Sequence, residues 1–304
     1  MAIRYLLIVF LLCGSLPARS QDLPQTQVYL LNYSNGDAGY SFMQPQLITA
    51  FKGYNNQPCF LPDEQTVLFV SVRDNKHADI YGYDLRSKTT WNLTNTPAVS
   101  EYSPQLSRDG KHVTVVRVEA DDSTQHLYQY DLSGTHGNYT MSNPRLLFPG
   151  INPVGYYCSI GDSLFALFVL GKPDRLELAN LRTQQSTLID TSIGRCIQQM
   201  PFAPNTLSYI WKGDSTHYTL NEYNWLTKKY AVNNYVLLGK TEDYAWVDGD
   251  LWYGYAGRMY SSSKQQPTRI LHDLAGYPCS NFYRLVPDPF HERLALVSFT
   301  GKKP

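Results

Sequence analysis

The sequence predicts an all-β protein, a six-bladed β-propeller with four-stranded blades. Three observations lead to this fold. The composition favours strands, because the 304-residue chain contains 24 tyrosines and 13% of it is aromatic. A unit of alternating apolar strands and tight turns recurs along the chain. The two ends of the chain each carry only part of such a unit, and together they supply one further blade.

The repeated unit is clearest in two adjacent segments, residues 58–94 and 104–132. Each contains a strand, an Asp-containing turn, a second strand, a polar turn and a third strand that ends in Tyr-Asp-Leu. A repeat of this length with about four short strands is typical of propeller blades, whose sheets cannot bury both faces alone. The turn after the first strand can be followed through six units, at Asp63, Asp109, Asp162, Asn205, Asp248 and Asp288.

The ends of the chain predict how the ring closes. Segments 28–33 and 45–51 supply two strands with no first pair before them, and segment 281–300 supplies two strands with no second pair after them. We expect these four strands to form one blade, because this arrangement pairs the otherwise open edges of the first and last sheets.

These motifs resemble a known repeat. Residues 104–111 read Pro-Gln-Leu-Ser-Arg-Asp-Gly-Lys, residues 127–132 read Leu-Tyr-Gln-Tyr-Asp-Leu, and the preceding unit closes on Asn-Leu-Thr at 92–94. This pattern resembles the WD40-like (PD40) repeat of TolB-like periplasmic propellers, and similar repeats occur in relatives of prolyl oligopeptidase and dipeptidyl peptidase IV. The resemblance implies a six-bladed ring. We expect no counterpart of the small N-terminal α/β domain of TolB, so the resemblance is carried over for the fold and not for a biological process.

The first twenty residues predict a signal peptide. Arg4 precedes an apolar run at 5–13 that is too short to span a bilayer, and Ala-Arg-Ser at 18–20 fits a cleavage site. Residues 21–304 would then form a single propeller domain. Since the resemblance is bacterial, we expect a periplasmic or extracellular protein of a Gram-negative cell.

Lipid anchoring through Cys13 is the alternative interpretation, and the bulky Leu12 before that cysteine disfavours it. After signal cleavage the sequence predicts no transmembrane segment and a monomer.

The charges and cysteines limit the possible functions. The 26 basic and 26 acidic residues cancel, which argues against nucleic-acid partners. An exported chain permits disulfides, but the spacing of the cysteines resembles no metal site, so we predict no metal, no cofactor and buried free thiols that pack as small apolar groups. The cysteines in question are Cys59, Cys158, Cys196 and Cys279.

A catalytic motif can also be read in the chain. Residues 161–164 spell Gly-Asp-Ser-Leu, and Asp288 with His291 matches the Asp-x-x-His pair of GDSL esterases, which would make Ser163 the nucleophile. These residues fall in the hairpin turns of different predicted blades, so we expect them not to converge. We therefore disfavour a GDSL-type esterase and predict no catalytic residues.

The segments that enter the innermost strands are the candidate binding site, since they meet at one mouth of the channel. Their aromatic, amide and acidic side chains can stack on a sugar or bond a peptide. The alternative is that they line a water-filled channel that binds nothing specific. The candidate residues are Glu101, Tyr102, Tyr156, Tyr157, Gln198, Gln199, Asp243, Tyr244, Asn281 and Tyr283.

The sequence thus favours a non-catalytic propeller that binds or scaffolds a protein, peptide or glycan at the channel mouth. A secreted polysaccharide lyase or glycoside hydrolase that uses the acids and tyrosines at that mouth is the alternative, and it requires paired carboxyl groups or a histidine that converge within about 5 to 10 Å there. A structural subunit with contacts on its blade edges would instead show a large exposed apolar patch.

Overall fold

The computed structural model describes residues 23–73, 77–213, 218–232, 235, 237–264 and 266–301. The predicted signal peptide and Cys13 lie outside these residues. The described chain is all-β and forms six antiparallel sheets, so the predicted fold class is confirmed. None of the described residues forms a helix that could cross a bilayer.

Five blades are each built from four consecutive strands, of which the first is nearest the channel and the last is outermost. Blade 1 contains β4 (Asn55–Phe60), β5 (Thr66–Val72), β6 (Ala78–Asp84) and β7 (Thr90–Asn92). Blade 2 contains β8 (Ser100–Leu106), β9 (His112–Val118), β10 (Gln125–Ser133) and β11 (Thr140–Leu146). Blade 3 contains β12 (Val154–Ser159), β13 (Leu164–Val169), β14 (Arg175–Asn180) and β15 (Gln185–Thr191). Blade 4 contains β16 (Ile193–Gln199), β17 (Thr206–Trp211), β18 (Thr219–Asn224) and β19 (Lys229–Val232). Blade 5 contains β20 (Tyr244–Val247), β21 (Asp250–Tyr255), β22 (Arg258–Ser262) and β23 (Arg269–Asp273).

Blade 6 joins the two ends of the described chain, as predicted. Its order from the channel outward is β24 (Phe282–Pro287), β25 (Arg293–Phe299), β1 (Thr26–Gly36) and β2 (Gly39–Phe42). The register between β1 and β25 runs from Thr26 opposite Phe299 to Asn32 opposite Arg293. The ring is therefore closed by backbone hydrogen bonds between the first and the last long strand.

The outermost part of blade 6 differs from the predicted strand at 45–51. Only Gln46–Leu47 (β3) pairs with β1 there, and the outer edge is β2 instead. The reason is a tight hairpin that places Gly36 opposite Gly39. The Gly-Asp-Ala-Gly sequence at 36–39 is a turn signal that sequence reasoning missed.

The core lies between the blades. Each of the six buried apolar clusters in the described residues is shared by two neighbouring blades. Strand β1 shows why, because alternate side chains point to opposite faces of a sheet. Leu30 packs toward blade 1, whereas Leu31 packs toward blade 5.

The predicted turn residues lie between the first and second strands of every blade and act in two ways. Asp63 accepts hydrogen bonds from the backbone N–H groups of Gln65 (3.0 Å) and Thr66 (2.8 Å). Asn205 and Asp248 instead adopt the left-handed backbone region, with φ of 60° and 50°. These turns end each innermost strand at the same face of the ring and so define one mouth of the channel.

Candidate binding site in the central channel

The innermost strands of the six blades enclose a cavity of about 540 Å³ along the ring axis. It is lined by tyrosine, glutamine and cysteine side chains and by backbone from all six blades. The acidic and basic side chains in its lining are Arg195, Asp243, Arg284, Asp288 and His291.

One end of the cavity is crossed by a buried network of charged groups centred on Asp243. The Nε of Arg284 lies 3.0 Å from Asp243 Oδ1, and the Nε of Arg195 lies 3.0 Å from Asp243 Oδ2. The Nη2 of Arg195 also contacts Oδ2. Because these residues lie on blades 6, 5 and 4, a single carboxylate ties three blades together inside the channel.

The network continues to the neighbouring blade 1. Arg284 Nη1 donates to Asn56 Oδ1 at 3.0 Å, and Asn56 Nδ2 donates to the hydroxyl of Tyr283 at 2.6 Å. The Arg284 guanidinium carbon also lies 5.8 Å from the ring centres of both Tyr156 and Tyr283, within the range of cation–π attraction. Arg284 therefore has hydrogen-bond or aromatic partners on four different blades.

The electrostatics of this network leave a net positive charge. Burial by itself raises the pKa of Asp243, but the Arg284 and Arg195 guanidinium groups outweigh burial and hold that pKa below its ordinary value. Both arginines remain protonated, since Asp243 more than offsets the effect of burial on the pKa of each. Two cations thus share one anion beside the cavity.

A second cleft, of about 550 Å³, lies between blades 5 and 6 and shares Arg195 and Asp243 with the central cavity. Its lining includes Lys240 and Glu242. Glu242 Oε2 accepts a hydrogen bond from the backbone N–H of Arg195 at 3.3 Å. The Arg195 side chain, which is one-third exposed, is therefore bordered by both spaces.

The structure brings eight of the ten candidate residues to these two spaces. Asn281 and Tyr283 line the cleft, which Asp243 also borders. Six of the candidates line the central cavity: Tyr156, Tyr157, Gln198, Gln199, Asp243 and Tyr244.

Several of these side chains already use their polar atoms within the protein. The Tyr157 hydroxyl lies 3.0 Å from the carbonyl oxygen of Ser103 and 2.6 Å from that of Thr114. The Tyr244 hydroxyl donates to Ser208 Oγ at 2.9 Å, and Gln198 Nε2 donates to the carbonyl oxygen of Tyr244. These groups hold neighbouring blades together.

Glu101 and Tyr102 lie elsewhere. Glu101 is fully buried between blades 1 and 2, where it accepts hydrogen bonds from Thr96 Oγ1 (2.8 Å) and from the Tyr130 hydroxyl (3.1 Å). Tyr102 is half-buried and packs against the apolar clusters on both sides of blade 2. The physical reason is strand alternation, because successive side chains of β8 point toward the neighbouring blades and not along the channel axis.

Sequence reasoning missed the two arginines. Arg195 lies in β16 and Arg284 in β24, the same strands that hold the predicted residues Gln198 and Tyr283. A charged side chain inside an innermost strand is the signal that would have found them, because such a strand is buried and a charge there requires a partner.

Three of the four cysteines border the central cavity, and all four are free thiols. Burial raises the pKa of Cys59 and Cys158 to about 11 and that of Cys196 to about 12, so these thiols stay protonated at neutral pH. The fourth, Cys279, is part of the apolar cluster between blades 5 and 6. No cluster of three or more potential metal ligands occurs among the described residues.

The residues of the esterase-like motif do not form the pairs that the motif requires. His291 Nδ1 lies 2.8 Å from Asp248 Oδ1, whereas Asp288 Oδ1 accepts the backbone N–H groups of Glu292 and Arg293. Ser163 lies in the turn of blade 3, on a different sheet from His291 in blade 6. A nucleophile, base and orienting acid are not assembled from these residues.

No protein-family model matches the chain. Among solved structures it is similar to a putative TolB from Agrobacterium tumefaciens, with a TM-score of 0.66 and 9% identity over 92% of this chain and 99% of that one. It is also similar to TolB from Acinetobacter baumannii, with a TM-score of 0.55 and 15% identity over 92% of this chain and 65% of that one. A structure of a nidogen/laminin complex matches with a TM-score of 0.59 and 10% identity over 91% of this chain and all of that one.

These comparisons confirm the TolB-like six-bladed propeller fold. The present chain spans 65% of the length of the Acinetobacter protein. At these identities the likeness extends to the fold alone, and function has to be argued from the site.

Proposed function

We propose that this protein is an exported, non-catalytic propeller that binds a peptide, a protein segment or a glycan in its central channel. The observation that carries the proposal is the cavity of about 540 Å³ with a cationic, aromatic-lined end. Its volume lies within the range of ligand pockets, about 300 to 1,000 Å³, and its polar groups converge from several blades.

The arrangement of the acids supports binding over catalysis. Asp243 is ionised and bonded by two guanidinium groups, so it is neither a ready proton donor nor a free base. Glu101, the other acid in the candidate set, lies between blades 1 and 2. Neither acid of the candidate set is therefore an available carboxyl group for the lyase or glycosidase alternative.

Export is part of the proposal and rests on the first twenty residues. Arg4, the short apolar run and the Ala-Arg-Ser segment would direct the chain to the periplasm or the exterior of a Gram-negative cell. Cell fractionation with mass determination of the recovered protein tests this. We expect the recovered protein to have the mass of a chain that begins at Gln21. A cytosolic protein that still carries residues 1–20 would contradict export.

A binding screen tests the ligand class. The purified protein is applied to peptide and glycan arrays. The affinity of each ligand found is then measured by calorimetry for the wild type and for Tyr156→Ala, which removes a ring from the cavity. Tyr230→Ala on the outer strand β19, 57% exposed, is the matched control. We expect at least a tenfold loss of affinity for the first variant and none for the second.

The same ligands are assayed for chemical change. Because one fold can carry both binding proteins and enzymes, turnover of a bound glycan or ester by the purified protein would overturn the non-catalytic proposal. Equal ligand affinity of the wild type and Tyr156→Ala would place the site outside the channel.

A further inference from the structure

We infer that the central cavity is built for a short peptide with two free ends, whose carboxylate pairs with Arg195 and Arg284 and whose ammonium group pairs with Asp288. This inference rests on the proposed function and names the ligand class for the same cavity. It depends on the opposite charges at the two ends of the cavity.

The cationic end lies where the innermost strands begin. Arg195 and Arg284 both line the cavity and share only Asp243 as a charged partner in their network. The Arg195 side chain is one-third exposed, so part of its guanidinium group faces open space. A planar guanidinium group binds a carboxylate through two parallel hydrogen bonds, which makes a ligand carboxylate the group that would balance this site.

The acidic end lies at the opposite mouth, in the turn that follows β24. Asp288 lines the cavity but is only 2% exposed, and its Oδ1 accepts the backbone N–H groups of Glu292 and Arg293. Its Oδ2 is buried and has no hydrogen-bond partner among the described residues. A buried carboxylate oxygen without a donor is costly, so this atom calls for a donor from outside the fold.

The neighbouring groups do not supply that donor. His291, which lines the cavity at this mouth, directs its Nδ1 to Asp248. The hydroxyl of Tyr33 on β1 does not line the cavity and is itself buried without a partner among the residues described. A ligand ammonium group carries three donors and can supply the one that Asp288 Oδ2 lacks.

The distance between the two ends fits a short peptide. Arg284 and Asp288 are four residues apart along an extended strand and its end, which corresponds to about 13 Å at 3.3 Å per residue. An extended peptide covers about 3.3 to 3.6 Å per residue, so three or four residues span the same length. A neutral glycan would leave both charged ends unused, and a uronic acid would use the arginine end alone.

The test uses pooled tri- and tetrapeptides of random sequence in four forms: unmodified, C-terminally amidated, N-terminally acetylated, and blocked at both ends. Binding to the purified protein is measured by ligand-observed NMR and calorimetry. We expect the unmodified pool to bind, and each single block to weaken binding by at least tenfold.

Two variants assign each end of the peptide. In Arg195→Gln we expect unmodified and amidated peptides to bind with the same affinity. In Asp288→Asn we expect unmodified and acetylated peptides to bind with the same affinity. The asparagine keeps the Oδ1 acceptor of the turn, and melting temperatures establish that both variants are folded.

The outcomes separate this inference from the proposed function. Equal binding of all four forms, or sensitivity to a block at one end only, would overturn the two-ended site while channel binding stands. Binding of glycans but not of peptides, with loss of that binding in Tyr156→Ala, would also overturn the two-ended site while channel binding stands. Failure of every peptide and glycan to bind would overturn both.

Discussion

Two buried carboxyl groups next to innermost strands, Asp243 and Glu101, behave in opposite ways. Asp243 precedes β20 and lies between two guanidinium groups, which hold its pKa below the ordinary value despite burial. Glu101 in β8 is bonded by hydroxyl groups, and burial raises its pKa to about 7. Asp79 of blade 1 raises the pKa further, whereas Arg117 lowers it only in part.

The comparison shows that a propeller has two kinds of buried position near its axis. A side chain that reaches the axis can meet side chains from several blades, as Asp243 meets Arg195 and Arg284. A side chain between two blades meets only what those two sheets offer, which for Glu101 is Thr96, Tyr130 and the nearby Asp79. Asp243 and Glu101 are both carboxylic acids at similar positions in the repeat, but the groups that contact each carboxyl determine whether it is ionised.

The largest expected effect comes from removing the shared anion. Asp243→Asn leaves the buried Arg284 and the partly exposed Arg195 side by side without a counter-charge, and we expect it to lower the free energy of unfolding by about 3 to 5 kcal/mol. Urea denaturation at neutral pH measures this. The control is Asp273→Asn, whose exposed ion pair with Arg258 (3.0 Å) should contribute far less to stability. A similar loss of unfolding free energy in both variants would show that the channel network contributes no more stability than an exposed ion pair.

The second prediction concerns the pH dependence that Glu101 imposes. The folded state holds the Glu101 proton up to a pKa of about 7, whereas the unfolded chain releases it near the ordinary value of 4.5. The stabilisation of the folded state by Glu101 is therefore fully present below about pH 4.5. It is lost as pH rises toward 7, which lowers the free energy of unfolding by about 3 kcal/mol in total.

Glu101→Gln isolates this contribution, because glutamine keeps an acceptor oxygen but does not titrate. Unfolding free energies of the variant and the wild type are compared between pH 4.5 and 7.5. The wild type should lose stability relative to the variant as pH rises. A constant difference across this range would mean that Glu101 is ionised in the folded protein.

The smallest expected effect tests the neutral contacts that join blades. Tyr157→Phe removes the hydroxyl between the carbonyl oxygens of Ser103 and Thr114, and should cost about 1 to 2 kcal/mol in thermal or urea unfolding. Tyr230→Phe removes an exposed bond to the carbonyl oxygen of Ile189 and should cost less than about 0.5 kcal/mol. If the two losses were equal, burial of the first bond would not matter.

The fold could be predicted from the sequence because each blade repeats its own local signals. The turn residues and the incomplete units at the two ends were sufficient to predict six blades and their closure. The hairpin at 36–39 was missed because its turn signal lies between the two predicted strands at 28–33 and 45–51, where no strand was expected.

The site was predicted less well, since the position of a side chain around the ring axis does not follow from the repeat. Asp243 lies in the channel as expected, but Glu101 lies between blades 1 and 2. Arg195 and Arg284 come together only because blades 4, 5 and 6 are neighbours in space. The repeat predicts the strand in which each arginine lies. It does not predict that both arginines contact the Asp243 carboxylate.

The closure of blade 6 affects how the protein can be made. Strand β25 lies between β24 and β1, so the ring is complete only when the last long strand is available to pair with the first. Until then, β1 presents an unpaired edge and blade 5 an uncovered apolar face, and both can capture other chains. Assembly therefore has to wait for the whole propeller to be synthesised, and a nascent chain needs protection from aggregation until its final strand has been added.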